Sequence, residues 1–382
     1  MPKLKPEQEN AKPMSTLKKY ISLSLIAVLA SVSDAGAGLY GFSQANPPTH
    51  EEKILDIETP PRHILNFRQK MRENIDMLVD YAHAQNPDFQ IVLHEGEELL
   101  NKSLWEHHLE GYNKVRNHSD PNEDPSFLYR LPGNQDNDTI AGEALPGFSR
   151  KLNGIALNNV FCGSRKLSNV VKQSGLRLIA VDRCSDVENY EEALQESFGE
   201  NVLFYGFINP ELAFNNISRR HLISENAKNV FSLQDAKNIL ILTDDSRYAK
   251  SYDFIRSLQN SNYDVIVIPA LFHGKEAFSP EDIQSLKFKK NGTTRLVLAE
   301  MNLSEADSQM YYWKNSWKRG SPGWLVRPSY VSKDSFIVEY WNPEWRRLLG
   351  NHLQGIIRTG FNGIFLTGLQ NHAYFEKQLP LE

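Results

Sequence analysis

Eight short apolar runs recur along the chain, and they constrain its fold more than any other feature. They are FQIVLHE (residues 89–95), GIALNN (154–159), RLIAVDR (177–183), VLFYGF (202–207), NILILTD (238–244), DVIVIPA (264–270), RLVLAEMN (295–302) and GIFLTG (363–368). Most are continuous rather than alternating, the pattern of strands buried on both faces of a parallel sheet. Helical patterns fall between them, at residues 98–115, 164–174, 187–198, 210–229 and 247–258. Two more helices carry start signals: Ser279-Pro280-Glu281-Asp282, and Asn342-Pro343-Glu344 leading a stripe of Trp345, Leu348, Leu349, Leu353, Ile356 and Ile357 that stops at Gly360. The chain opens with a helix that has no strand before it, at 63–85, with Ile64, Phe67, Met71, Ile75, Leu78, Val79 and Ala82 on one face. Nothing after residue 368 is long enough for a covering helix. The opening helix can cover the last strand, so the parts balance in an α/β protein of the (β/α)8 TIM barrel type spanning residues 62–382.

Composition narrows the partners. Of 382 residues 40% are hydrophobic, enough for one large barrel, and a formal charge of -5 leaves no basic surplus for nucleic acid. Lys18 and Lys19 lead into the apolar run 21–30 and then Ala35-Gly36-Ala37, the pattern of a secretory signal peptide cleaved after Ala37. That expectation makes the protein secreted or periplasmic, with residues 1–37 removed, 38–61 a linker and no stable membrane span after cleavage; Met14 is an alternative start. Cys162 and Cys184 either pair in that compartment or remain free thiols. The stretch 117–150, rich in Asn, Asp, Pro and Gly, reads as a disordered insert. His107 and His108 lack metal-ligand spacing, and no GxGxxG, Walker or GxSxG motif follows any strand, so no metal, cofactor or nucleotide is expected.

Active sites of such barrels lie at the carboxyl ends of the strands. Those ends carry His94 and Glu95, Asn158 and Asn159, Asp182 and Arg183, Asp244 and Asp245, His273, Asn302 with Glu305 and Asp307, and Thr367 with Gln370, Asn371 and His372. The stretch 295–307 admits two readings: an acid/base platform at a strand end, or a helix capped by Ser304 with acids in its first turn. Polar residues at nearly every strand end favour the ligand site. Tyr311, Tyr312, Trp313, Trp317 and Trp324 follow and offer rings on which sugars stack. Carboxylates with aromatics point to glycosidic-bond chemistry on a polysaccharide.

The segments ILTDDSRYAKSYDFI, YDVIVIPALFHGK, VLAEMNLSEADSQMYYW, VEYWNPEW and GFNGIFLTGLQNHAYFE, within residues 237–382, resemble the first half of the glycoside hydrolase family 114 barrel, the endo-alpha-1,4-polygalactosaminidase-like group. FQIVLHEGEELL, LNGIALNNVFCG and LIAVDRCSD, within 62–208, resemble its second half. The halves stand in swapped order, as in a circularly permuted barrel or the remnant of a tandem duplication. The resemblance implies that Glu305 survives as a catalytic acid, with Asp182, Asp244 or Asp307 in the second role. The resemblance also implies losses: an acid of the family is replaced by Pro269, two by Asn362 and Thr367, and those of the Asp-Gly-Ile-Gly-Gln-Glu-Asp segment across 153–159. Position at the strand ends makes Glu95, Asn158, Asn159, Asn302 and Thr367, with the aromatics Tyr312 and Trp313, the expected substrate contacts. Two expectations follow, a galactosamine-polymer hydrolase of weakened activity, or a catalytically inactive polysaccharide-binding or surface-interaction protein.

Overall fold

The computed structural model of the chain describes residues 63–116, 142–163, 165–217, 222 and 224–379. The expected signal peptide, the whole of the 38–61 linker and most of the 117–150 loop fall outside the described residues.

All eight apolar runs form strands, β1 (Gln90–His94), β2 (Gly154–Asn158), β3 (Arg177–Arg183), β4 (Leu203–Phe207), β5 (Ile239–Ile241), β6 (Val265–Pro269), β7 (Leu296–Asn302) and β8 (Gly363–Thr367). They make one sheet in the order β4-β3-β2-β1-β8-β7-β6-β5, parallel at every pairing. Each strand lies beside its neighbours in sequence, and β1 pairs with β8, so the two ends of the barrel chain are joined. The result is a nearly closed α/β barrel flanked by helices. The seam without a ladder lies mid-chain, between β4 and β5. A cleft of about 560 Å3 runs along it, bordered by Phe204, Tyr205, Ile239, Leu240 and Tyr263.

Strand parity assigns two cores. Val92, Ala156, Ile179, Leu203, Ile239, Val267, Leu298 and Phe365 fill the barrel interior, over a floor of Val230, Leu233 and Ala236. The alternate residues Ile91, Leu93, Ile155, Leu157, Ile266, Ile268, Val297 and Ile364 pack outward on the helices. The helices are α1 (Phe67–Gln85), α2 (Leu104–Arg116), α3 (Val187–Gly199), α4 (Ser251–Gln259), α5 (Pro280–Leu286), α6 (Pro343–Thr359) and the short α7 (His372–Glu376). Helix α1 buries Met71, Ile75, Leu78, Val79 and Ala82 and packs against α6 and α7. Its Arg68 donates to both oxygens of Glu376 on α7, at 2.9 and 3.0 Å. None of these helices is long and apolar enough to cross a membrane.

Several local expectations need correction. The expected helix at 210–229 is, among the described residues, only a 3-10 turn at Pro210–Leu212. Its asparagines take backbone groups for themselves: Asn209 accepts from the Glu211 amide at 2.9 Å, and Asn226 accepts from the Lys228 amide at 3.0 Å. The helix expected at 98–115 starts later, after a 3-10 turn Glu97–Leu100 and a strand Asn101–Ser103, and that expected at 164–174 spans only Asn169–Gln173. Part of the 117–150 loop is built in: Gly142–Ala144 pairs with Asn101–Ser103, and Pro146–Ser149 forms a helical turn. Glu305–Asp307 is extended rather than helical, pairing antiparallel with Ser335–Val338, which pairs in turn with Leu325–Pro328. Ser304 does not cap a helix there.

Candidate functional site

The mouth of the barrel is built from inward-facing residues at the strand ends. On β7 the inward parity runs Leu296, Leu298, Glu300, Asn302, which puts a carboxylate inside the rim where its neighbours are apolar. Glu300 is registered against Pro269 on β6 and Phe365 on β8. Its side chain bonds to Thr243, beyond β5. Burial among these groups pushes its carboxyl up to about 7, and the negative charge of Asp307 adds to the rise against the Thr243 bond. A glutamate poised there is half-protonated near neutral pH, the condition for a proton donor. The residue as a whole remains only partly buried.

Glu305 and Asp307 follow in the small sheet that stands over β7. Oε1 of Glu305 accepts from Ser329 Oγ at 2.9 Å and from Asn371 Nδ2 at 3.2 Å. Burial raises its carboxyl as well; the two hydrogen bonds oppose the rise and the charge of Asp307 reinforces it. Asp307 is raised by burial and by nearby Asp334, and its Oδ1 accepts from the Gln309 amide at 2.7 Å. Asp307 thus lies within electrostatic reach of both Glu300 and Glu305. Those three carboxyls form the acidic centre of the mouth.

The other expected residues are spread around the rim. Asp182 is buried, and its two oxygens accept from the amides of Val160, Phe161 and Cys162 at 2.7, 2.6 and 2.8 Å. It therefore anchors the loop after β2, where Cys162 and Cys184 form a disulfide with their Cα atoms 4.9 Å apart. Asp244 accepts from the Ser246 amide at 2.9 Å, and its neighbour Asp245 holds the His273 amide at 2.6 Å. Asn302 Oδ1 accepts from the amides of Ser304 and Glu305 at 3.1 and 3.0 Å, which fixes the turn that presents Glu305. Thr367 Oγ1 and Gln370 Oε1 are buried with no hydrogen-bond partner among the described residues.

Two strands round the rim from β7, beyond β8, Arg165 Nη1 donates to both oxygens of Glu95 at 2.8 Å and Nη2 to Glu97 at 2.8 Å. Glu95 also accepts from the Asn158 amide at 2.7 Å, and Asn158 Oδ1 lies 3.0 Å from His94 Nε2. Burial lowers the His94 pKa, against the charge of Glu95 and the bond to Asn158, which raise it. Three non-glycine residues at strand ends have positive φ, Glu95 at 62°, Asn159 at 58° and His273 at 49°. Such strain collects where backbones are held for function.

The aromatics are mostly committed to packing. Trp313 stacks on Phe336 at 5.3 Å, Trp317 meets Trp324 edge-on, and Tyr312 meets Trp345 edge-on. The Tyr312 hydroxyl accepts from the Asp307 amide at 3.3 Å.

Two asparagines counted among the lost acids are at the far end of the barrel. Asn362 Oδ1 accepts from the Val297 amide at 3.0 Å and Asn153 Oδ1 from the Ile91 amide at 2.8 Å, both at the amino-terminal ends of their strands. Their change from acid to amide bears on strand joining and not on chemistry at the mouth. Conversely, Glu300 was hidden from sequence reading because it lies inside an apolar run. The signal that finds it is parity, since alternate residues back from Asn302 fall on the barrel interior.

No family model matches the chain. Its relatives are uncharacterized proteins. One, from Methanocaldococcus jannaschii, is 28% identical over 160 residues, 40% of this chain and 45% of that protein. Another, from Thermotoga maritima, is 27% identical over 123 residues, 32% of this chain and 37% of that protein. A third, from Deinococcus radiodurans, is 32% identical over 72 residues, 19% of this chain and 23% of that protein. The chain thus spans less than half the length of each of these curated relatives.

Proposed function

We propose that the protein is an exported carbohydrate-active barrel of the polygalactosaminidase-like type, with hydrolytic chemistry carried by carboxyls on and just beyond β7. The observation that carries this reading is the position of Glu300. The acid expected at the end of β6 is replaced by Pro269, and the residue registered beside Pro269 on the next strand is a glutamate held at about 7. Glu300 protonates the leaving oxygen of a glycosidic bond. Glu305 or Asp307 supplies the second carboxylate, as nucleophile or as base toward water. Asp182 and Asp244, considered for that second role from sequence, hold loops in place. Thr367, Asn158 and Gln370 offer hydrogen bonds to sugar hydroxyls.

The strand order supports a circular permutation within this reading. The hydrogen-bonded closure joins the first and last strands, and the unpaired seam falls between β4 and β5, where swapped halves meet. Alignments that stop short of half of each relative are what a swapped order yields. The disulfide suits an oxidising compartment and so the exported location.

The test is release of reducing ends from a partly deacetylated α-1,4-galactosamine polymer, with Glu300→Gln lowering the rate by roughly 10²-fold or more. Saturable binding of that polymer without turnover selects the second reading, a polysaccharide-binding protein, which Pro269 and the commitment of Asp182 to three amides favour. Absence of both turnover and binding sinks the carbohydrate assignment.

A further inference from the structure

We propose that the cleft along the seam between β4 and β5 binds a single-chain anionic amphiphile, a medium-chain carboxylate, with its head at Lys237 and Tyr263 and its chain on the apolar walls. None of Glu300, Glu305 and Asp307 lines this cleft, so the proposal is independent of the carbohydrate reading of the mouth.

The cleft exists because the connection from β4 to β5 is used elsewhere. Phe204 and Leu240 face outward, with the residues that the other strands pack against helices. Between these two strands the described residues form only the 3-10 turn Pro210–Leu212 and then send Val230, Leu233 and Ala236 to the barrel floor. No helix among the described residues of that connection covers the seam. Its volume of about 560 Å3 lies within the range of small-molecule sites. Phe198 on α3 and Leu212 border it while 37% and 42% exposed, so large apolar side chains are left at its edge.

Charge selects the ligand. The whole chain carries a formal charge of -5, yet the residues lining the cleft include Lys237 and Arg247 and no carboxylate. Lys237 is exposed, and its Nζ meets a neutral partner, Asn201 Oδ1, at 3.5 Å. Asp264 lies close to the Lys237 backbone but is already engaged: its Oδ2 accepts from the Lys237 amide at 2.8 Å and its Oδ1 from Lys289 Nζ at 2.8 Å. That bond to the amide brings Tyr263, which precedes Asp264, to the same end of the cleft as Lys237. Burial pushes the Tyr263 phenol up to about 12, so the hydroxyl keeps its proton and can donate. An ammonium and a phenolic donor together suit a carboxylate, and the aromatic and aliphatic walls suit its chain. Arg247 follows β5 where Lys237 precedes it, with Asn216 Oδ1 at 3.5 Å, and so provides the control for orientation.

The experiment uses the full chain with decanoate below its micellar concentration and decanol as the uncharged probe, binding being followed by calorimetry. The unaltered protein should bind decanoate about tenfold more tightly than decanol. Lys237→Gln should remove that preference, weakening decanoate about tenfold and leaving decanol unchanged, and Tyr263→Phe should weaken decanoate by roughly threefold to tenfold. Unchanged unfolding midpoints show that both variants are folded. No binding of decanoate, or equal binding by the unaltered protein and Lys237→Gln, overturns the proposal. A loss produced by Arg247→Gln and not by Lys237→Gln overturns the placing of the head at Lys237 and Tyr263. A dimer in sedimentation that Phe204→Glu dissociates and decanoate does not would give the cleft to a second copy of the chain, and would overturn the proposal as well.

Discussion

Gly363, at the start of the last barrel strand, lies opposite Gln90, at the start of the first, so closely that a Cβ on the glycine would stand 2.2 Å from the Gln90 carbonyl oxygen. The barrel closes at a point where only hydrogen fits. Gly363→Ala should force the two backbones apart and cost on the order of 1–3 kcal/mol. Gly355→Ala, within α6 and with nothing within 4 Å of the added methyl, should stabilise by about 1 kcal/mol instead. Denaturant midpoints of the two variants test the contrast, and equal shifts would contradict it.

That closure was legible from the chain because a helix with no strand before it, α1, and a strand followed only by the short α7 complete each other. Helix ends were legible for a local reason: Ser279 and Asp282 form a reciprocal capping box, Asn342 caps α6, and Gly360 ends it with φ of 94°. The connection from β4 to β5 was not legible, since its apolar residues repeat at helical spacing while Val230, Leu233 and Ala236 are consumed in the barrel floor. The site was half legible. Glu305 was found because it stands outside an apolar run, and Glu300 was missed because it stands within one. Burial of an acid is a property of the closed barrel, which no local pattern contains.

The junction of the chain's ends should set part of the pH dependence of stability. Burial alone would lower the His372 pKa, but Glu376 and Glu98 outweigh it and hold the ring at about 9. Burial alone would raise Glu376, and His372 with Arg68 instead holds it at about 2. The histidine's contribution is full below its unfolded value near 6.5 and is lost as pH rises through about 9. The contribution of Glu376 is present above about 4.5 and is lost as pH falls through about 2. Unfolding free energy should therefore decline between pH 6.5 and 9, and His372→Gln should flatten that decline. Arg68→Met, which leaves Glu376 short of a partner in the interior, should cost about 3–5 kcal/mol.

The disulfide between Cys162 and Cys184 closes a segment with a sequence separation of 22. Chain entropy assigns such a loop roughly 3 kcal/mol of stability. The same segment is pinned independently by the three amides that Asp182 holds. Replacing both cysteines by serine should lower the unfolding free energy by about that amount while the fold persists. Asp182→Asn in the double-serine background should cost more than it does in the parent, because each tie limits the loop that the other leaves free. Additive losses in a double-mutant cycle would show that the two ties act separately.

Glu300 makes the sharpest claim on activity, because one group governs two measurable pH profiles. A carboxyl held at about 7 in the fold and near 4.5 when unfolded binds more protons in the native state, so stability falls as pH rises from about 4.5 through about 7 and is level above. Glu300→Gln removes the buried charge and should stabilise the protein above pH 7 by up to roughly 3 kcal/mol, with little change at pH 4. The rate should move the opposite way. A proton donor of that pKa works below 7 and loses about tenfold per pH unit above it, so the alkaline limb of kcat/KM belongs to Glu300. Glu300→Asp should keep that limb with a slower rate. A profile flat from pH 6 to 9 would place the proton on another group, and Glu305, raised by the same burial, is where it would be sought next.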